Sequence, residues 1–192
     1  MNNVLFDYIS KYMTLTNDEK KVIIDLNLFR QIKKGTILLE EGQRSKEGYF
    51  VIKGCMRKFY IIDGEEKTTN FYTEMEGEIP ECVLNKRPSS YYLSCIEDSI
   101  ISVSTPEIEA DTFTKFPRFE TLCRIISEEL LIKSQATFDN FKYSSPTQRY
   151  ENLLVTKPDL VQRVPQHQLA SFLGITPQSL SRLKRRLMKN KK

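Results

Sequence analysis

The spacing of apolar positions changes twice along the chain. Val22, Ile23, Leu26 and Phe29 recur at helix intervals, and Thr16 with Glu19 three residues on has the form of a capping box, so residues 4–29 are predicted helical. From Gln31 the period shortens. Ile37-Leu38-Leu39, Tyr49-Phe50-Val51-Ile52, Met56 to Ile62, Thr68 to Tyr72, Tyr91 to Ile96 and Ile100 to Val103 are short β-rich runs. Turn residues separate most of them: Lys34-Gly35, Glu41-Gly42, Lys53-Gly54, Asp63-Gly64, Glu76-Gly77 and Pro88-Ser89. Many short strands at near-regular spacing predict an antiparallel sandwich or barrel, with Asp63-Gly64 closing a hairpin.

After Pro117 the helical period returns. Phe119, Leu122, Ile126 and Leu130, with Ile125 and Leu131 beside them and Phe138 and Phe141 beyond, form an apolar stripe to about Lys142. A helix of some 24 residues spans about 36 Å. Such a helix after a β unit is read as a dimer seam, the alternative being an intrachain helix covering one face of the barrel. Glu129 and Lys133 fall near the seam, so the heptad is not clean. Ser144-Ser145-Pro146 reads as a hinge, and a further helix is expected from Thr147 to about Lys157, ended by Pro158. The expected class is α+β: a β-barrel unit with N-terminal helices over 1–116, a dimerisation helix over 117–143 and an all-α unit over 144–192.

Charge separates the ends of the chain. The formal net charge is +4, from 29 basic and 25 acidic residues. Every acid lies at or before Asp159, where only 21 basic residues sit, giving −4; Leu160 to Lys192 holds eight basic residues and no acid, giving +8. That asymmetry confines an anion-binding task to the C-terminal end.

The basic end has the local chemistry of a helix-turn-helix. Pro165 suits a helix start, and Leu169, Ala170 and Leu173 share one side. Gly174 can end that helix in a left-handed conformation, small Ala170 lets two helices cross closely, Thr176 is an N-cap and Pro177 a first-turn proline. In the second helix, 177–188, Leu180, Leu183 and Leu187 share a face, and Pro177, Gln178, Ser181, Arg182, Arg185 and Lys189 lie opposite. Arg reads guanine and Gln adenine in a bidentate way, so Gln178, Ser181 and Arg182 are the candidate base readers. Thr176, Ser179, Lys184, Arg185, Arg186 and Lys189 are the candidate phosphate contacts.

The remaining composition argues against other classes. No apolar run approaches the ~18 residues of a membrane span, and the start lacks the features of a signal peptide, so a cytoplasmic protein is expected. Cys55, Cys82, Cys95 and Cys123 have no C-x-x-C spacing and read as reduced thiols. The single histidine, His167, reads as an exposed helix residue, and no carboxylate pair is nominated by spacing, so neither catalysis nor a metal or cofactor is expected.

A glycine-punctuated barrel, a long helix and a C-terminal helix-turn-helix together resemble the Crp–Fnr family of bacterial transcription regulators. The resemblance rests on Lys34-Gly35-x-x-Leu38, Glu41-Gly42, Tyr49-Phe50-Val51-Ile52-Lys53-Gly54 and Gly64, and on Leu173-Gly174-Ile175-Thr176-Pro177-Gln178-Ser179-Leu180-Ser181-Arg182. It implies a cyclic-nucleotide-binding-like (cupin-like) sensor barrel, a homodimer paired through the long helix, and recognition helices in successive major grooves. The implied partners are double-stranded DNA, a second copy, RNA polymerase and a small-molecule effector.

Two departures from that family stand out. Members that bind cyclic AMP carry Gly-Glu-apolar and, about ten residues later, Arg-Ser or Arg-Thr with a small residue. Here Gly77-Glu78-Ile79 is followed by Pro80, the tenth position is Pro88, Arg87 is one residue off, and Ser89-Ser90-Tyr91 follows. Gly77, Glu78, Arg87, Ser89 and Ser90 are therefore the candidate effector pocket, with cyclic AMP not the expected ligand and a different ligand, or none, in its place. Many members also follow the recognition helix with a two-stranded wing, whereas five residues follow Leu187; Lys189-Asn190-Lys191-Lys192 is expected to take over phosphate contacts. Two rival readings remain: a small-molecule receptor whose basic tail docks an acidic protein, and a cupin-type barrel enzyme, which needs histidines that this barrel lacks.

Overall fold

The computed structural model describes residues 2–189. Two helices, α1 (Asn2–Ile9) and α2 (Asn17–Asp25), open the chain. The α2 capping box is made in full: Glu19 N–H donates to Thr16 Oγ1, and Thr16 N–H to the Glu19 carboxylate at 2.8 Å. The helical stretch ends earlier than its apolar spacing suggests. Asn27 takes a left-handed φ of 49°, Val103 N–H donates to Leu28 O, and Phe29 pairs with Ser102 as the first residue of a strand. Apolar spacing of three or four is blind to that backbone reversal.

The β unit is two antiparallel four-stranded sheets. One runs β1 (Phe29–Ile32), β8 (Ser99–Ser104), β3 (Gly48–Lys53), β6 (Gly77–Glu78); the other runs β2 (Ile37–Leu39), β7 (Tyr92–Cys95), β4 (Met56–Ile62), β5 (Glu65–Tyr72). Asp63 and Gly64 close β4–β5 with φ of 53° and 77°, the two positive values a tight two-residue hairpin needs. The β5 strand starts three residues before the apolar run, because Glu65, Glu66 and Lys67 pair with Ile62, Ile61 and Tyr60. Gly77, read as a turn residue, lies in β6; a Cβ there would sit 2.5 Å from Tyr49 O, so only glycine fits against β3. Between the sheets Leu39, Tyr49, Val51, Met56, Tyr91, Leu93 and Ile101 form the core.

Helix α3 (Glu81–Asn85) lies between β6 and β7 in the chain, α4 (Pro106–Lys115) follows β8, and α5 (Pro117–Tyr143) then runs for 27 residues, about 40 Å. The N-terminal part of α5 packs Phe119 and Leu122 on Ile9 and Leu15, while further along Leu131, Ile132, Phe138 and Phe141 are exposed. Then come α6 (Pro146–Thr156), α7 (Pro158–Arg163), α8 (Gln166–Leu173) and α9 (Pro177–Lys189). Ser144 and Ser145 are the extended break between α5 and α6, and Ser145 caps α6 by accepting from Gln148 N–H. Pro158 ends α6 and also begins α7, a short helix the sequence pattern did not announce. No helix among the described residues is long and apolar enough to cross a membrane.

Candidate nucleic-acid interface

The turn between α8 and α9 is built from the residues whose types suggested it. Gly174 has φ 72°, and its N–H and that of Ile175 return to carbonyls of the last α8 turn, Ser171 O and Ala170 O, each at 3.0 Å. Arg149 on α6 donates to Leu173 O at 3.0 Å, satisfying another carbonyl at that end. Thr176 Oγ1 accepts from Ser179 N–H at 3.2 Å and donates to Ser179 Oγ at 3.0 Å, so the α9 N-terminus is capped. Leu169, Ala170, Leu173, Leu180 and Leu183 are buried with Tyr150, Leu153 and Leu160. Each fully buried leucine contributes about 1.5–3 kcal/mol, and together they fix the angle at which α9 is presented.

With the leucines inward, Gln178, Ser181, Arg182, Arg185 and Lys189 are all exposed on the opposite face. Among the described residues no ion pair or hydrogen bond engages the side chains of Gln178, Arg182 or Arg185. Arg182 and Ser179 border a cleft of about 320 Å³ with Pro146, Thr147, Ile175, Leu183 and Arg186. Donors left unpaired and exposed on a helix face suit base edges and phosphates.

The other two basic candidates lie on the flanks. Arg186 Nη2 donates to Thr147 Oγ1 at 3.0 Å, at the start of α6. Lys184 donates to Gln166 Oε1 and lies 5.8 Å from the Tyr150 ring centroid, where burial pulls its pKa down. Both therefore bind their own unit in this structure. Lys189 ends the described helix, and Asn190, Lys191 and Lys192 lie outside the described residues. His167 is exposed on α8.

The candidate effector residues have different surroundings. Glu78 points to the opposite sheet, where Lys58 Nζ (2.7 Å), Tyr72 OH (2.5 Å) and Tyr91 OH (2.8 Å) donate to its carboxylate. Ser89 is buried, exchanging hydrogen bonds with the Tyr91 backbone, while Ser90 and Arg87 are exposed. No hydrogen bond or ion pair joins Arg87 to Glu78; Arg87 N–H instead donates to Asn85 Oδ1 at 2.8 Å. Lys58, Tyr72 and Tyr91 were missed by sequence reasoning. Two adjacent cations, Arg57 and Lys58, inside the β-rich run Met56–Ile62 were the available signal, since a half-buried ammonium needs an acid nearby. Tested against a cyclic phosphate, the site does not fit: its carboxylate is already bound and no arginine faces it.

The helical unit is docked on the β unit along β5. Thr68 N–H donates to Ser171 Oγ at 2.9 Å, Ser171 Oγ donates to Glu66 O, and Phe172 packs edge-on against Phe71 with ring centroids 5.3 Å apart. Lys157 donates to both oxygens of Glu76 at 2.6 and 2.7 Å. Arg163 donates to both oxygens of Glu74 at 2.9 Å and pairs with Glu97. The four cysteines are unpaired thiols, and the described residues contain no group of three or more His, Cys, Asp and Glu placed to hold a metal.

No protein-family model matches the sequence, and none of the curated proteins does. Solved structures do. A double mutant of CooA from Carboxydothermus hydrogenoformans aligns with TM-score 0.66 at 17% identity, over 92% of this chain and 86% of that one. The c-di-GMP responsive global regulator CLP from Xanthomonas campestris aligns with TM-score 0.65 at 16% identity, over 88% and 92%. A protein from Eubacterium rectale assigned to the crp/fnr family of transcriptional regulators aligns with TM-score 0.65 at 17% identity, over 92% and 85%. The chain thus has a Crp–Fnr-like fold, an antiparallel β-barrel joined to a C-terminal helical unit.

Proposed function

We propose that this protein is a homodimeric, sequence-specific DNA-binding transcription regulator that places α9 in the major groove. The observation that carries the reading is the outward face of α9. Gln178, Ser181, Arg182, Arg185 and Lys189 are exposed together on a helix whose other face is locked into a helix-turn-helix core. Gln178, Ser181 and Arg182 would read bases, with Arg185, Lys189, Thr176 and Ser179 on the flanking phosphates. Lys184 and Arg186 would join them only by releasing Gln166 and Thr147.

The dimer part of the proposal is supported by α5. Leu131 and Phe138 are seven residues apart and Phe141 three further, so they share a face, and all three are exposed. A second copy laid along that face would bury them and set two recognition helices about one helical turn of DNA apart. At promoters the dimer would meet RNA polymerase, with the barrel taking an unidentified input or none.

Measuring duplex affinity at two or more salt concentrations tests the proposal against the rival of a receptor docking an acidic protein. If about four phosphates are neutralised, log affinity should fall against log salt with a slope of roughly −4. Micromolar or weaker binding with a flat salt response, beside tight binding to an acidic polypeptide, would favour the rival.

A further inference from the structure

Glu78 makes a charged link between two sheets whose contact is otherwise mainly apolar, the Tyr49 hydroxyl to Leu38 O at 3.1 Å being another polar contact across it. Its backbone pairs with Tyr49 in β3, whereas its carboxylate is held by residues of the other sheet: Lys58 on β4, Tyr72 on β5 and Tyr91 just before β7. The Lys58 ammonium also lies 3.9 Å from the Tyr91 ring centroid. Burial, then the Glu78 charge, pushes the pKa of both tyrosines up, so each stays a hydroxyl donor. One ammonium and two buried hydroxyls converging on a single carboxylate have the form of an anion site with its anion in place.

The same short segment holds the helical unit. Four residues before Glu78, Glu74 accepts from Arg163 and from Gly54 N–H at 2.9 Å; two before, Glu76 accepts from Lys157. Between them Met75 has a left-handed φ of 63°, and its N–H donates to Val51 O at 2.8 Å. Glu74 and Glu76 thus face the helical unit and Glu78 faces the barrel interior. Glu76 adjoins β6 and Glu74 lies three residues before it, so the three carboxylates share one short stretch of chain.

We infer that Lys58, Tyr72 and Tyr91 form a carboxylate-binding cradle occupied by the chain's own Glu78, and that this internal occupant latches β6 and, through Glu74 and Glu76, the orientation of the helix-turn-helix. The inference rests on the DNA-binding reading for its output but not for the cradle itself. It makes DNA binding competent without a cyclic nucleotide, because the anion that closes the barrel is part of the chain.

The test is chemical rescue. Glu78→Ala removes the equivalent of acetate and leaves the three donors. The variant should bind the duplex at least about tenfold more weakly than wild type, and its unfolding midpoint should drop by about 5 °C or more. Tens of millimolar acetate should restore both saturably, while acetamide, or chloride at matched ionic strength, should not. A folded Glu78→Ala that binds duplex like wild type, or one that acetate helps no more than chloride, overturns the inference. If Glu78→Ala does not fold, Tyr72→Phe and Tyr91→Phe replace it. Each should weaken DNA binding severalfold, and wild-type binding by both overturns the latch. Should wild type itself bind no duplex, the regulator reading has failed, and the acetate-dependent rise in unfolding midpoint still tests the cradle separately.

Discussion

In the barrel, Lys58 has Glu78 at 2.7 Å, and the buried Arg57 has Glu66 at 2.6 Å, Thr68 at 2.9 Å and the Phe59 ring beneath it. On the outward face of α9, Arg182 and Arg185 have neither carboxylate nor hydrogen-bond acceptor among the described residues. The contrast is physical rather than stylistic. A cation taken out of water is costly unless paired, so the barrel supplies acids; a cation left in water needs none, and a row of them held at a fixed angle is available to an external anion. The absence of any acid after Asp159 keeps that face open. The barrel is closed upon itself; the outward face of α9 is not.

Four perturbations, taken from strongest to weakest, break or sharpen that difference. Arg182→Ala should cost about 1–3 kcal/mol of binding at one position of each half-site, with relaxed specificity there, read by fluorescence anisotropy on variant duplexes. Gly174→Ala should lower stability by about 1–2 kcal/mol, because alanine is strained at φ 72° and its Cβ would lie 3.3 Å from Arg149 Nη1. Thermal unfolding measures that loss, and the open face loses its angle with it. Lys189→Ala should weaken binding to all sequences alike and reduce the salt slope by about 1, without changing which site is preferred.

The weakest perturbation is acid, and it should act on the closed side alone. Burial pushes the Glu74 pKa up, but the Arg163 guanidinium and the Gly54 N–H outweigh it, so Glu74 sits below the ordinary value of 4.5. A lowered folded-state pKa means that its contribution is complete above about pH 4.5 and drains away as pH falls through the lowered value. Unfolding midpoints measured from pH 6 to pH 3 should therefore fall more for wild type than for Glu74→Gln. Parallel curves would remove Glu74 from the docking contacts.

How far each region could be read in advance follows from how local its chemistry is. The turn from Gly174 to Ser179 depends on residues adjacent in sequence, and glycine, threonine and proline each announce a backbone role there. The same signal stands at Thr105-Pro106, where Thr105 caps α4 by accepting from Ile108 N–H, and at Ser145-Pro146, where Ser145 caps α6. The strands and the Asp63-Gly64 hairpin were legible from alternation and turn residues. The Glu78 cradle was not, because Lys58, Tyr72 and Tyr91 reach it only after two sheets have formed and faced each other. Phe29 illustrates the converse: its spacing was helical, but Asn27 had already turned the chain.

Selection of bound duplexes from a random pool tests the central claim most directly. A major-groove reader on a two-fold dimer predicts a near-palindromic motif with half-sites about one helical turn, 10–10.5 base pairs, apart, and the same selection with Arg182→Ala should lose preference at one symmetric pair of positions. No enriched motif from wild type, or an identical motif from Arg182→Ala, would contradict the assignment of α9 as the reading surface.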